Sequence, residues 1–278
     1  MRRRSAMRDR VRRAAAACLV AVATTVAAHG ALQDQIDAVS AEIAREPPSA
    51  HLYLRRGELN RLHEDRAAAL ADYERAAVLA PGDDTIDFLR GRVLQEAGIA
   101  KAAKFTLDRY VARHPDHVEA LIVRARALAA LADFGGASAD YSRAIERLSK
   151  PDPDYYLERA RSDVAARNAA RALAGLDAGI AKLGPVPALL DLAIDIELQQ
   201  GHYDAALAQL DRSAQSSSRK ESWLARRGEI LAQAGRRDEA RAAYAAALAA
   251  IEALPSDMRR TTAMVDLESR VRGNLALR

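Results

Sequence analysis

From about residue 50 to residue 255 the hydrophobic and polar positions follow a helical rhythm, with apolar or small residues returning every three or four positions on one face. Stretches of roughly 13 to 15 residues with this period alternate with short polar turns, several of which contain glycine, as at Gly98, Gly201 and Gly235. The pattern predicts paired amphipathic helices, one hairpin after another. The pairs also recur at a fixed step. Ala69, Ala103, Ala137, Ala172, Ala206 and Ala240 form one column, with steps of 34, 34, 35, 34 and 34 residues. Twelve residues earlier stand Gly57, Gly91, Ala125, Ala160, Ile194 and Gly228, and four residues later Tyr73, Leu107, Tyr141, Leu176, Leu210 and Tyr244. Ala76, Tyr110, Ala144, Gly179, Ser213 and Ala247 make a further column, and Pro81 and Pro115 close the first two units. Small residues at fixed phase on both helices let the two backbones approach closely, and the Tyr or Leu column is expected to fill the groove against the neighbouring unit.

This 34-residue period, with its small, small, aromatic, small and proline columns over residues 50–255, resembles the tetratricopeptide repeat family. It departs from the family pattern at Ile194 and Tyr110, and at Ser216, Ser217 and Ser218, where the fifth unit lacks its closing proline. The resemblance implies an all-α fold: a right-handed α-solenoid of about six helical hairpins with a capping helix at each end. Leu32, Ile36, Val39 and Ile43 supply the stripe of a leading half-repeat helix over 31–47, and Pro47 lies 34 residues before Pro81. Six repeats then occupy 50–255. A C-terminal capping helix is expected over 256–273, with Ser256 as its N-cap and Met258 and Val265 on its apolar stripe.

Composition agrees with close helix packing. Of 278 residues, 64 are alanine, and only 4% are aromatic. Charge changes the picture more. The net charge of +4 suggests an anionic partner until residues 1–30 are set aside, because they hold seven Arg and one Asp and their removal leaves −2. That argues against a nucleic-acid partner for the repeats. A basic stretch from Met1 to Arg13, then fifteen apolar or small residues from Ala14 to Ala28, is the layout of a secretory signal peptide over 1–30. Cleavage is expected after Ala28 or Gly30, giving a periplasmic or secreted protein; an uncleaved membrane anchor is the alternative. Only Ala14 to Ala17 separate Cys18 from Arg13 and its basic run, so it stands ahead of most of the apolar stretch, which argues against lipidation there. The mature chain then has no cysteine and relies on packing.

The search for chemistry finds no P-loop, dinucleotide fingerprint, nucleophile elbow or paired-histidine zinc helix, so no catalytic residue, cofactor or metal is expected. His114 and His117 flank Pro115 and Asp116 in a turn and read as exposed polar residues rather than metal ligands. By resemblance to the family, the variable positions of each first helix face a concave groove. Three residues before the small column these are Leu54, Phe88, Ile122, Leu157, Asp191 and Ala225; one residue after it they are Glu58, Arg92, Arg126, Arg161, Asp195 and Glu229. Phe88, Arg92, Ile122, Arg126, Leu157 and Arg161 therefore form the candidate groove, three apolar residues each one turn from an arginine. It suits a protein or peptide partner carrying acidic and apolar residues, since arginine pairs bidentately with carboxylates. A second arginine column, Arg56, Arg90, Arg124, Arg159 and Arg227, is read as structural, with carboxylates such as Asp72 or Asp140 as partners. The function so indicated is a non-enzymatic scaffold or adaptor. The alternative is an enzyme or small-molecule or polyanion binder that uses the groove as its site.

Overall fold

The computed structural model describes residues 30–215 and 219–276, so residues 1–29 of the segment expected to be a signal peptide and the serine run at 216–218 lie outside the described residues. Among the described residues every regular element is a helix. They are α1 (30–45), α2 (Ala50–Leu62), α3 (Arg66–Leu79), α4 (Thr85–Glu96), α5 (Ala100–Arg113), α6 (Val118–Ala130), α7 (Phe134–Arg147), α8 (Pro153–Ala165), α9 (Ala169–Leu183), α10 (Pro187–Gln199), α11 (Tyr203–Gln215), α12 (Lys220–Gln233), α13 (Arg237–Glu252), α14 (Ser256–Arg259) and α15 (Thr262–Ala276). The described residues divide into two compact units, one ending at Ala132 and one beginning at Asp133. Within the first, α2 packs on α3, α3 on α4, α4 on α5 and α5 on α6. Within the second, α7 packs on α8, α8 on α9, and so on to α12 on α13.

The alanine column does what its spacing predicts: Ala69, Ala103, Ala137, Ala172 and Ala206 are fully buried and Ala240 nearly so. The Tyr or Leu column corrects the expectation. In the hairpins whose small residue is glycine, it fills the gap over that residue of its own hairpin. A Cβ on Gly57 would lie 2.5 Å from Tyr73, one on Gly91 2.5 Å from Leu107, and one on Gly228 2.6 Å from Tyr244. These glycines are therefore sites of close approach between a helix backbone and a large side chain, where even one methyl group overpacks the hairpin.

The turn inside each hairpin repeats as faithfully. Glu64, Gly98, Ala132, Arg167, Gly201 and Gly235 all adopt positive φ, between 60° and 76°, at successive steps of 34, 34, 35, 34 and 34. Three of the six are not glycine, and each of these carries strain that glycine would relieve. The residue after each of those three caps the next helix. Asp65 accepts from the Ala68 amide at 2.9 Å, Asp133 from Gly136 at 3.0 Å and Asn168 from Arg171 at 3.1 Å. Ile99 and Arg236, which follow glycines, make no side-chain cap.

At the amino end, α1 buries Ile36 and Val39 and is tied to α2 by Arg55–Glu42 at 3.3 Å and by Arg56 donating to Ser40 Oγ at 3.1 Å. The closing segment differs from the single expected helix. Pro255 precedes a one-turn α14, the chain breaks at Thr261, and α15 continues past Gly273 to Ala276. The break resets the helical phase, so Met264, Leu267 and Val271 face α12 and α13 while Met258 and Val265 are exposed.

Candidate partner-binding surfaces

The first helices carry two kinds of polar position, those spent on holding hairpins together and those left over. Arg56 shows the first kind. Its guanidinium is bidentate on Asp72, at 2.6 and 2.9 Å, and Asn60 donates to the same carboxylate at 3.0 Å. Asp72 is 2% exposed, and the bond to it holds the Arg56 pKa above its ordinary value. Arg124 reaches Asp108 at 3.1 Å and Arg227 reaches Asp211 at 2.8 Å, while Arg90 approaches Glu74 at 3.8 Å. The structural reading of this column holds at these positions. Arg159 is the exception: it lies over the Tyr156 ring at 5.4 Å, and among the described residues it forms no ion pair. Desolvation pushes its pKa down.

The candidate groove residues divide between the two units. In the first, Phe88 is buried among aromatic rings, with the Tyr110 centroid at 5.4 Å and His117 edge-on at 4.9 Å. Ile122 is buried as well. Arg92 lies 5.4 Å over Phe88 and bonds Glu58 at 2.6 Å and Glu119 at 3.1 Å. Its charge is thus met by two carboxylates of the protein itself. Glu58 in turn accepts from Arg61 at 2.7 Å and from the Tyr73 hydroxyl at 3.0 Å. Burial pushes the Glu58 carboxyl up, but the bond from Arg61 and the charge of Arg92 outweigh it and hold the pKa below the usual range. Arg126 is half-buried and is not a free group. In the second unit Leu157 is buried, and Arg161 is exposed with no ion pair among the described residues.

The two turn histidines serve the fold. His114 Nε2 sits 2.7 Å from Asp84 and its ring stacks on Tyr110 at 4.5 Å; His117 Nδ1 accepts from the Ala120 amide at 3.1 Å, capping α6. Among the described residues no cluster of three or more His, Cys, Asp or Glu is arranged to hold a metal. No helix among them is long and apolar enough to cross a membrane.

The feature that the columns hinted at and the groove assignment left aside is the change of sign in the fifth repeat. Where the middle repeats place an apolar residue and an arginine, α10 places Asp191 and Asp195. Both are exposed, and they line a cleft of about 620 Å³ together with Ile194, Leu210, Trp223 and Arg226.

Residues 154–265 match the family model described as a tetratricopeptide repeat-like domain. Among solved structures, the chain is similar to a tetratricopeptide repeat protein from Parabacteroides merdae, with a TM-score of 0.54 and 18% identity over 87% of this chain and 93% of that one. It is also similar to the C-terminal part of a TPR repeat-containing protein from Cytophaga hutchinsonii, with a TM-score of 0.64 and 14% identity over 85% and 94%. A third is MamA from Desulfovibrio magneticus RS-1, with a TM-score of 0.51 and 14% identity over 54% of this chain and 85% of that one. At these identities the likeness is one of fold. No curated protein matches by sequence.

Proposed function

Because the chain folds as a tetratricopeptide-repeat protein, we propose that it is a non-enzymatic scaffold, exported to the periplasm or cell envelope, whose first helices hold a segment of a partner protein. The observation that carries this reading is the contrast between columns. The alanine column is invariant and buried in every repeat, whereas the half-buried to exposed positions one residue after the small column change from Glu58 through Arg161 to Asp195 and Glu229. Stacked hairpins that share one packing code while their outer polar residues differ repeat by repeat suit an extended, chemically varied partner better than one small ligand. Export rests on the basic and apolar layout of residues 1–30.

Affinity capture with the full chain from envelope extracts tests the scaffold. A protein retained in stoichiometric amount supports it; ligand-dependent stabilisation without a protein partner would favour a small-molecule site. Intact mass of the exported protein tests the leader, with an amino terminus between His29 and Leu32 expected and a membrane-bound form retaining Cys18 contradicting it.

A further inference from the structure

We propose that the cleft bounded by α10, α11 and α12 receives a lysine or arginine side chain of a partner segment, with the neighbouring apolar residue of that segment against Trp223. This rests on the scaffold reading above and specifies the chemistry of one contact point, where it reverses the acidic partner expected for the middle repeats.

The cleft has an apolar floor and an unbalanced rim. Ile194 and Leu210 are 2% and 6% exposed, and Trp223 lies half-buried beside them with its indole N–H donating to the Leu210 carbonyl at 3.1 Å. That bond fixes the ring and leaves part of its surface open. Around the rim each other charge has a partner. Arg226 bonds Asp195 at 3.1 Å and Glu229 at 3.4 Å, and Arg219 bonds Glu221 at 2.6 Å. Asp191 is the remaining one, with no hydrogen bond or ion pair among the described residues. Desolvation by the protein around it and the like charge of Asp195 push its carboxyl above the ordinary value, against the opposing charge of Arg226. A carboxylate so placed gains from a cation more than one already paired or fully hydrated.

The same features select against other occupants. A phosphate or a carboxylate entering the cleft meets the unpaired Asp191 with like charge, while Arg219 and Arg226 on the same rim are already bonded to carboxylates of the protein, which disfavours nucleic acid and acidic peptides at this point. A small hydrated cation makes no use of the apolar floor. A long alkyl stem with a cationic tip uses both, since lysine and arginine bury their methylenes and keep the charge at the polar end. The cleft volume of about 620 Å³ admits such a side chain together with an adjacent apolar residue.

The chain has one tryptophan, so the emission of Trp223 reports on this cleft alone. The probe is an acetylated peptide of alternating leucine and lysine titrated into the full chain, beside the same peptide with glutamate for lysine. The lysine peptide is expected to shift the emission saturably, and Asp191→Asn to raise its Kd about tenfold, the loss of one charge-assisted hydrogen bond. Thermal unfolding of that variant changes little, because Asp191 makes no hydrogen bond or ion pair among the described residues and the charges of Arg226 and Asp195 act on it in opposite directions. Arg237→Glu, in α13 and outside the cleft, leaves the Kd as it was. Equal binding of the two peptides, no saturable shift, or an Asp191→Asn variant that binds as well as the parent each overturns the proposal. Emission that varies with protein concentration alone assigns the cleft to a second copy of the chain and overturns it too. If capture yields a partner whose binding ignores Asp191, the scaffold stands and this site falls.

Discussion

The first repeat and the fourth use the same three positions to opposite effect. In the first, Arg56, Asn60 and Asp72 close into a triad: the carboxylate on the second helix takes the guanidinium with two bonds and the amide with a third. In the fourth, the equivalent positions hold Arg159, Asp163 and Gly175, so the carboxylate has moved onto the first helix, beside the arginine rather than across from it. Gly175 leaves the space into which Arg159 extends, since a Cβ there would lie 2.5 Å from its Nη2. Asp163 is 2% exposed with Oδ2 unpartnered, and its Oδ1 is 3.5 Å from Arg171. The same net chemistry therefore raises the arginine pKa in one repeat, through the bond Arg56 donates to Asp72, and lowers it in the other, through desolvation. The repeat fixes where a charge sits; whether it is satisfied depends on which helix supplies its partner.

The largest test of this contrast is Asp72→Ala. It strands Arg56 and Asn60 in a part-buried site and is expected to cost about 3 kcal/mol in urea unfolding, because the partner charge stays behind unpaired. A cost under about 1 kcal/mol would mean that the triad is screened surface. Next comes Gly57→Ala in the same hairpin, where the new methyl meets Tyr73 ring carbons at 2.5 Å. Overpacking of this kind costs about 2 kcal/mol, and an unchanged midpoint would show that the hairpin has room to spare.

The contrast can also be repaired. Asp163→Asn combined with Gly175→Asp rebuilds the first-repeat triad in the fourth, and a gain of about 1 kcal/mol is expected from the new charge-assisted bonds and the loss of a helical glycine. A destabilised double variant would show that Arg159 cannot turn to meet the new carboxylate. The smallest effect is at the turns: Arg167→Gly relieves a positive φ of 60° and is expected to gain a few tenths to about 1 kcal/mol in thermal unfolding, where Gly235→Ala loses a similar amount.

Much of this architecture was legible in the chain because packing repeats. Ala69 to Ala240 mark the contact between helices at every step, and a buried position with no room for a larger side chain announces itself by recurring. The turn glycines Gly98, Gly201 and Gly235 were legible for the same reason, whereas Glu64, Ala132 and Arg167 hold the same backbone conformation without a residue type that signals it. Partnerships of long side chains were not legible. Arg92 looks identical in pattern to Arg161, yet it is bonded to Glu58, 34 residues earlier in the equivalent place of the preceding repeat, and Arg161 is not so engaged. Only the stacking of neighbouring hairpins brings those two columns within reach. The cleft at Asp191 had a signal, the switch from apolar and arginine to two aspartates, but its depth depends on the floor that Ile194 and Leu210 make together.

Hydrogen exchange of the full chain, free and saturated with the partner it captures, bears most directly on the scaffold claim. The account predicts slowed exchange in the first helices, with α10 and α12 among the most protected, and little change in the second helices α9 and α13. Protection confined to the second helices, or none at all in a complex that forms, would contradict it.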